Sequence, residues 1–300
     1  MAAKIDGVDE NLSDDVSFKR VITQRLETGP LDFMEGGYRT KGILKSSTAH
    51  EPLITIVTVV FNGVKFIEDC IQSVVNQSYK NIDFIIFDGG SVDGTLDVIQ
   101  KYDQQISYWK SEPDRGIYDA MNKAISLAIP GSWVLIIGAD DKLIKADYIA
   151  NAASNFCDAR NFLFDVERVD IKTKLKQKHI CFIPTKDDDF LSFPLHHQGF
   201  LFKKDDELCF DVALGVHADM YFMYTRIHDG GVVKVNETIS SYLTGGASSH
   251  IYFDNAKSIY SVAKKLQSYC YPEIVHKNLF GFIKLFFKAT IRSFLKRLAS

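Results

Sequence analysis

The sequence predicts an α/β fold: a mostly parallel central sheet flanked by helices, with an N-terminal arm and a C-terminal amphipathic helical tail. Three observations lead there. Between Leu53 and Gly138 short β-branched runs alternate with amphipathic segments, the pattern of βαβ units joined by right-handed crossovers. The runs are apolar throughout, as in strands covered on both faces. The 300 residues, 46% hydrophobic and 24% charged, suffice for a sizeable core and argue against disorder or a disulfide-stapled miniprotein.

The elements follow in order. Residues 1–52 are polar and broken by Gly29-Pro30, Gly36-Gly37 and Ser46-Ser47-Thr48, so they read as an arm, with a short helix over 16–26. After Pro52 the run from Leu53 to Phe61, ended by Asn62-Gly63, is the first buried strand. A helix is expected over 64–77, a strand over 82–88, a helix over 95–102, a short strand near 106–110, a helix over 117–128 and a strand over 133–138. Trp109 and Trp133 fall within these strands and read as core. Beyond 145 the alternation weakens: a helix over 147–156, strands near 162–170, 175–183 and 199–203, a helix over 218–227 stopped by Gly230-Gly231, a strand over 232–235 and a helix over 255–267. Four regions result: 1–52, 53–145, 146–250 and 251–300.

Charge and cysteine usage narrow the function classes. With 35 Lys+Arg against 38 Asp+Glu the net charge is −3, too balanced for a nucleic-acid binder that works as a polyelectrolyte. Cys70, Cys157, Cys181, Cys209 and Cys270 stand singly, so they read as reduced, mostly buried thiols and not as a disulfide framework or zinc site. The start of the chain carries Asp6, Asp9, Glu10, Asp14 and Asp15 and no apolar stretch, unlike a signal peptide, which sets the expectation of a cytoplasmic location. From Val275 to Ser300, Lys284, Lys288, Arg292 and Lys296 recur every four residues among many Phe and Leu. That is the pattern of a cationic amphipathic helix lying on an anionic membrane surface, peripheral on its cytosolic face. Charge interrupts it too often for a membrane span, and packing on the domain or on a second subunit stays open.

In open α/β sheets ligands sit beyond the carboxyl ends of the strands, which here read Phe61-Asn62-Gly63, Asp88-Gly89-Gly90-Ser91 and Gly138-Ala139-Asp140-Asp141. Two adjacent carboxylates repel unless a cation neutralises them. Hard divalent Mg2+ or Mn2+ with ligand phosphates is the economical partner, a solvated Asp-Asp turn the alternative. The glycine-rich turn lacks both GxGxxG and GK[ST], which weighs against hydride transfer and ATP hydrolysis.

The strand before Phe61-Asn62-Gly63, the blocks from Ser73 to Tyr79, Asp88 to Thr95 and Ser111 to Asn122, and Gly138-Ala139-Asp140-Asp141 together resemble the nucleotide-sugar-binding half of family 2 glycosyltransferases with the GT-A fold. His197-Gln198, the segment from Asp219 to Arg226 and Gly245-Gly246-Ala247-Ser248 resemble the acceptor half. The resemblance implies that Asp88 holds the nucleotide base, Asp140 lies near ribose or phosphates, and Asp141 coordinates the metal. It also implies that the Asn62 turn borders the pocket and that Arg115 and Asn122 lie beside the nucleotide sugar. Arg115 is then a candidate contact to phosphate or base, with surface pairing to Asp114 or Asp119 as its alternative.

Asp219 matches the catalytic base, with Ala218 where many relatives carry a second acid; Asp211 is its nearest rival. His197 is placed on the site wall, with His250 as an alternative metal or diphosphate contact. Gly36-Gly37-Tyr38-Arg39 is a segment that could fold back over the pocket. The implied activity is inverting, metal-dependent transfer from a nucleotide sugar, UDP-linked by family habit with GDP and dTDP open, to a hydroxyl of a glycan or polyprenyl-diphosphate-linked acceptor in surface polysaccharide biosynthesis. A catalytically inactive scaffold of the same shape stays open. So does a sugar nucleotidyltransferase, although no Gly-rich triphosphate loop followed by an Arg/Lys cluster is present.

Overall fold

The computed structural model describes residues 33–48, 50–153, 160–185, 195–205, 208–244 and 252–271, together with 278, 281 and 283. The expected helix over 16–26, Cys157, His250 and, apart from those three positions, the expected tail helix over 275–300 lie outside the described residues. The chain divides into a unit Met1–Met34 and a unit Glu35–Ser300, and the fold is that of the second.

Its strands are β1 (Met34–Gly36), β2 (Ile54–Val60), β3 (Ile82–Asp88), β4 (Tyr108–Ser111), β5 (Trp133–Gly138), β6 (Lys142–Leu143), β7 (Asn161–Asp170), β8 (Lys176–His179), β9 (Phe200–Lys203) and β10 (Val233–Thr244). Among the described residues they form one sheet in the order β1-β4-β3-β2-β5-β9-β7-β10-β6, with β8 paired to β7. The helices are α1 (Ile67–Val75), α2 (Thr95–Lys101), α3 (Ile117–Ile125), α4 (Tyr148–Ala153), α5 (Ala218–Gly230) and α6 (Tyr252–Tyr269).

The sheet is mixed. β4, β3, β2 and β5 are parallel, as their helical crossovers require. β9 then runs antiparallel to both β5 and β7, and β10 lies parallel on β7. The expected parallel register therefore belongs to the first half, where strand and helix alternate.

All seven residues of β2 are buried, which explains its unbroken apolar run. Val57 and Val59 face a core with Tyr118, Met121 and Ala124 of α3 and with α5 and α6. Ile54, Ile56 and Val60 face the other layer, with Ile67, Cys70, Ile71 and Val74 of α1 and Val98 and Ile99 of α2. The period of two places alternate side chains in two separate cores. Trp109 and Trp133, each 4% exposed, are core residues. Cys70 and Cys181 are buried free thiols, while Cys209 is exposed and Cys270 half-buried.

The end of the arm is sewn to the sheet. Tyr38 and Arg39 donate their N–H groups to the carbonyls of Ile106 and Ser107 at 3.1 and 2.9 Å. The Arg39 guanidinium is buried, on Asp83 Oδ2 at 2.8 Å and the Leu127 carbonyl at 2.8 Å. Burial pushes the Asp83 carboxyl up, and the Arg39 charge opposes this. Asp83 opens β3, at the end of the sheet opposite the strand carboxyl ends. The segment from Gly36 to Arg39 thus fastens the far edge and does not fold over the pocket, because Arg39 is held there by the buried Asp83 carboxylate.

Candidate active site

Strand register sets the floor of the site. Val60 lies opposite Asp88, Val59 opposite Gly138, and Asp88 opposite Ser111, so the turns after β2, β3, β4 and β5 leave the sheet at one level. Asp88 is 1% exposed and accepts from Ser91 N–H at 3.0 Å and Ser111 Oγ at 2.6 Å. Asn62 takes the left-handed φ of 50°. Its N–H donates to Ser91 Oγ at 2.7 Å and its Oδ1 accepts from Val92 N–H at 3.0 Å, buckling the first two turns together. Gly89 leaves room here for the Asp114 carboxylate, which a Cβ would force to shift. Ser91 and Ser111 were not singled out by sequence reasoning, although both fall in the blocks that carry the resemblance.

At the end of β5, Asp141 is 2% exposed and accepts from Gly138 N–H at 2.7 Å. Burial, then the charge of half-buried Asp140, pushes its carboxyl up to about 7; burial also raises Asp140. His197 is the cation whose charge reaches both. Among the described residues no group of three or more His, Cys, Asp or Glu forms a cage for an ion. Two oxygen donors without a cage suit Mg2+ or Mn2+, which take one or two carboxylates and complete their shell with phosphate and water. The residues therefore fit a metal shared with a ligand diphosphate.

Asp219 stands in the first turn of α5, where the helix dipole favours a carboxylate. Its Oδ2 meets His197 Nδ1 at 2.9 Å, and its Oδ1 accepts from Tyr118 Oη at 3.0 Å and Met220 N–H at 2.9 Å. Burial would raise the Asp219 carboxyl, but the His197 bond and charge, with His217 and Tyr118, bring it below the usual range. Burial would likewise lower His197, yet the carboxylates of Asp219, Asp141 and Asp140 hold it above its usual value. Burial and the Asp219 charge keep the Tyr118 phenol protonated. His197 thus links the acid pair at β5 to the acid of α5. Tyr118 was missed as a site residue; its place inside the block from Ser111 to Asn122 was the available signal.

Other expected residues take different places. Neighbouring His196 turns away, its ring 5.0 Å from Tyr242 and 4.4 Å from His179; burial, then His179 and His197, push it down to about 3. Asp211 accepts from Ala213 N–H at 3.1 Å and pairs with Lys265, which removes it as a rival base. Asn122, expected beside the donor, is a fastener: its amide accepts from Phe210 N–H at 2.6 Å and donates to Phe210 O at 2.9 Å. The Arg115 side chain is 86% exposed and lies on Asp119 at 2.8 Å, the surface pairing that was its alternative. That hydrogen bond brings the Asp119 carboxyl down to about 2.

The family described as Glycosyl transferase family 2 matches residues 55–226, a span that includes every strand-end acid and Asp219. The chain belongs to this family. Over 106 residues this family 2 glycosyltransferase is 33% identical to a PGL/p-HBAD biosynthesis glycosyltransferase of Mycobacterium bovis, covering 34% of this chain and 41% of that one. Over 101 residues it is 37% identical to TuaG of Bacillus subtilis, named for teichuronic acid biosynthesis, covering 33% and 40%. The match thus spans less than half the length of these relatives. Among solved structures, S. aureus TarS 1–349 in complex with UDP-GlcNAc has a TM-score of 0.60 at 16% identity, over 81% of this chain and 72% of that one. The mannosyltransferase PcManGT of Pyrobaculum calidifontis, in complex with GDP-Man and Mn2+, has 0.59 at 15% identity, over 95% and 82%. These likenesses show the GT-A fold.

Proposed function

We propose that this family 2 glycosyltransferase moves a sugar, with inversion and with the help of a divalent metal, from a nucleotide-sugar donor to a hydroxyl of a glycan acceptor in surface polysaccharide synthesis. One observation carries the reading: Asp88 and the Gly138–Asp141 turn leave the sheet at one level, and His197, bonded to the α5 acid Asp219, lies near enough to Asp140 and Asp141 to be held by their charge. UDP leads among the donors, in keeping with the resemblance and with the UDP-GlcNAc bound by TarS.

The chain's own residues divide the work. Asp88, pinned by Ser91 and Ser111, presents a fixed carboxylate edge to the donor base. Asp140 borders the ribose and phosphates. Mg2+ or Mn2+ held by Asp141 would supply Lewis-acid stabilisation of the charge that develops on the diphosphate leaving group. Asp219 accepts the proton of the attacking hydroxyl as the new glycosidic bond forms and the C1–O bond to diphosphate breaks. His197 and Tyr118 keep that carboxylate ionised and aimed. Leaving-group departure needs no proton, so a single displacement with inversion suffices.

A polyprenyl-diphosphate-linked acceptor on the cytosolic leaflet accords with the cationic pattern of 275–300 and with the relatives named for PGL/p-HBAD and teichuronic acid biosynthesis. No described helix is long and apolar enough to cross a membrane. The test is transfer from UDP-, GDP- and dTDP-sugars to lipid-linked glycans, with the anomeric configuration of the product read by NMR. Inversion is expected; retained configuration would overturn single displacement on Asp219.

A further inference from the structure

The strand pair β7–β8 carries a surface that the transfer chemistry does not use. Leu201 of β9 lies opposite both Leu135 of β5 and Phe162 of β7, and β9 is antiparallel to each, so β7 runs in the direction of β5. Gly138, where β5 gives way to the acidic turn, is therefore level with Asp165. From there β7 continues to Asp170, a further rise of roughly 17 Å at about 3.3 Å per residue. The hairpin overhangs the end of the sheet on which the active-site mouth opens.

Its tip is a built turn. Asp170 N–H donates to the Leu175 carbonyl at 2.9 Å and Lys174 N–H to the Asp170 carbonyl at 2.8 Å. The Asp170 carboxylate accepts from Lys172 N–H, Thr173 N–H and Thr173 Oγ1 at 3.0, 2.8 and 3.0 Å. Lys174 takes a left-handed φ of 59°, where glycine or asparagine is the usual residue. The turn places a lysine where the backbone favours a residue without a Cβ or a short polar one.

Around the tip, apolar and cationic side chains interleave. Leu175 is 70% exposed, Ile180 66% and Ile171 37%. From Arg168 to Lys178 the chain carries Arg168, Lys172, Lys174, Lys176 and Lys178 against the single acid Asp170. Lys176 and Lys178 reach back to Glu167 and Asp165 at 2.9 and 2.8 Å, whereas Lys172 and Lys174 stand exposed at the tip. Lysines guarding an edge strand against pairing with another chain account for Lys176 and Lys178. They do not account for a leucine held in water at the turn, or for cations beyond the paired edge.

Apolar side chains ringed by ammonium groups fit one surface chemistry, the anionic phospholipid interface, where the acyl boundary takes the first and the headgroups take the second. We propose that the β7–β8 hairpin docks on an anionic bilayer, with Ile171 and Leu175 at the acyl boundary and Lys172 and Lys174 on lipid phosphates. Contact through this tip turns the carboxyl ends of the strands toward the membrane, which is the orientation a lipid-borne acceptor requires. The docking rests neither on the transfer reaction nor on the cationic pattern of 275–300.

The test uses the full chain carrying Leu175→Trp. Trp109 and Trp133 are buried, so their emission is a constant background. Mixing with phosphatidylcholine vesicles containing phosphatidylglycerol should shift the introduced indole to the blue and expose it to quenching by brominated lipid, and pure phosphatidylcholine should do neither. Adding Lys172→Gln and Lys174→Gln should weaken vesicle binding about fivefold per charge, with an unchanged melting profile showing that the fold is intact. Vesicle binding that leaves the introduced indole in water would assign the membrane contact to 275–300 and overturn the proposal. Failure to bind anionic vesicles would overturn it as well. So would a blue shift evoked by soluble anionic polysaccharide and not by vesicles, which would make the hairpin an acceptor-binding surface.

Discussion

Replacing Asp219 by asparagine removes the proposed proton acceptor and little else. The carboxylate accepts from Tyr118 Oη and Met220 N–H on Oδ1 and meets His197 Nδ1 on Oδ2. An asparagine oxygen in the Oδ1 position keeps the first two bonds, and its amide then faces His197, which must give up its proton to accept. The local penalty is about 1–3 kcal/mol, the usual range for disturbing a buried hydrogen bond, so the fold survives. Catalysis should suffer more. General-base assistance contributes roughly 10²–10⁴ in rate, or about 2.7–5.5 kcal/mol in the barrier. Single-turnover transfer at saturating donor and acceptor should fall by that factor. Donor affinity by calorimetry should stay within about twofold, since the proposed donor site lies at the turns after β2, β3 and β5. A folded Asp219→Asn chain that retains transfer to within about tenfold would refute the assignment of the base.

Stability should depend on pH through the same pair. His197, held above its ordinary value, contributes stability that is complete below the unfolded histidine value of about 6.5 and is lost as pH rises through the folded one. Asp219, held below its ordinary value, contributes above the unfolded aspartate value of about 3.9 and loses that as pH falls. Melting temperature across pH should therefore decline on both sides of that window, and Asp219→Asn should flatten both declines. Arg39→Met strands the buried Asp83 carboxylate and should lower unfolding free energy in urea by about 3–5 kcal/mol, with donor affinity unchanged because the pair lies at the opposite end of the sheet. Asn122→Leu leaves the Phe210 backbone N–H and carbonyl without their partners and should cost about 1–3 kcal/mol, read as a lower melting temperature with the same donor specificity.

What the sequence shows plainly is what local pattern determines. β3 and β5 match the expected 82–88 and 133–138, because a strand buried on both faces carries a mostly apolar run that marks it off from its polar connections. β10 was expected over 232–235 and runs Val233–Thr244. Asn236, Glu237 and Thr238 break the pattern there, and two register shifts against β7 absorb the break. The candidate acids were legible because short motifs hold them at strand ends. Their pairing was not: His197 and Asp219 lie 22 residues apart and Tyr118 lies 101 from Asp219, and only tertiary packing brings the three together. Periodicity is equally silent about Arg39, a polar-arm cation that becomes the counterion of a buried acid, and about Asn122, whose hydrogen bonds reach the backbone 88 residues away.

The most direct measurement is thermal stabilisation of the wild-type chain and of Asp141→Asn by UDP-, GDP- and dTDP-sugars, each with Mn2+ and with EDTA. A ligand at about one hundred times its dissociation constant adds roughly 2.7 kcal/mol, a readily measured rise in melting temperature. The expected result is stabilisation by one nucleotide class, dependent on Mn2+ and lost in Asp141→Asn. Stabilisation by none of them with metal present, or an undiminished response in Asp141→Asn, would contradict a metal-assisted nucleotide-sugar site at the ends of β2, β3 and β5.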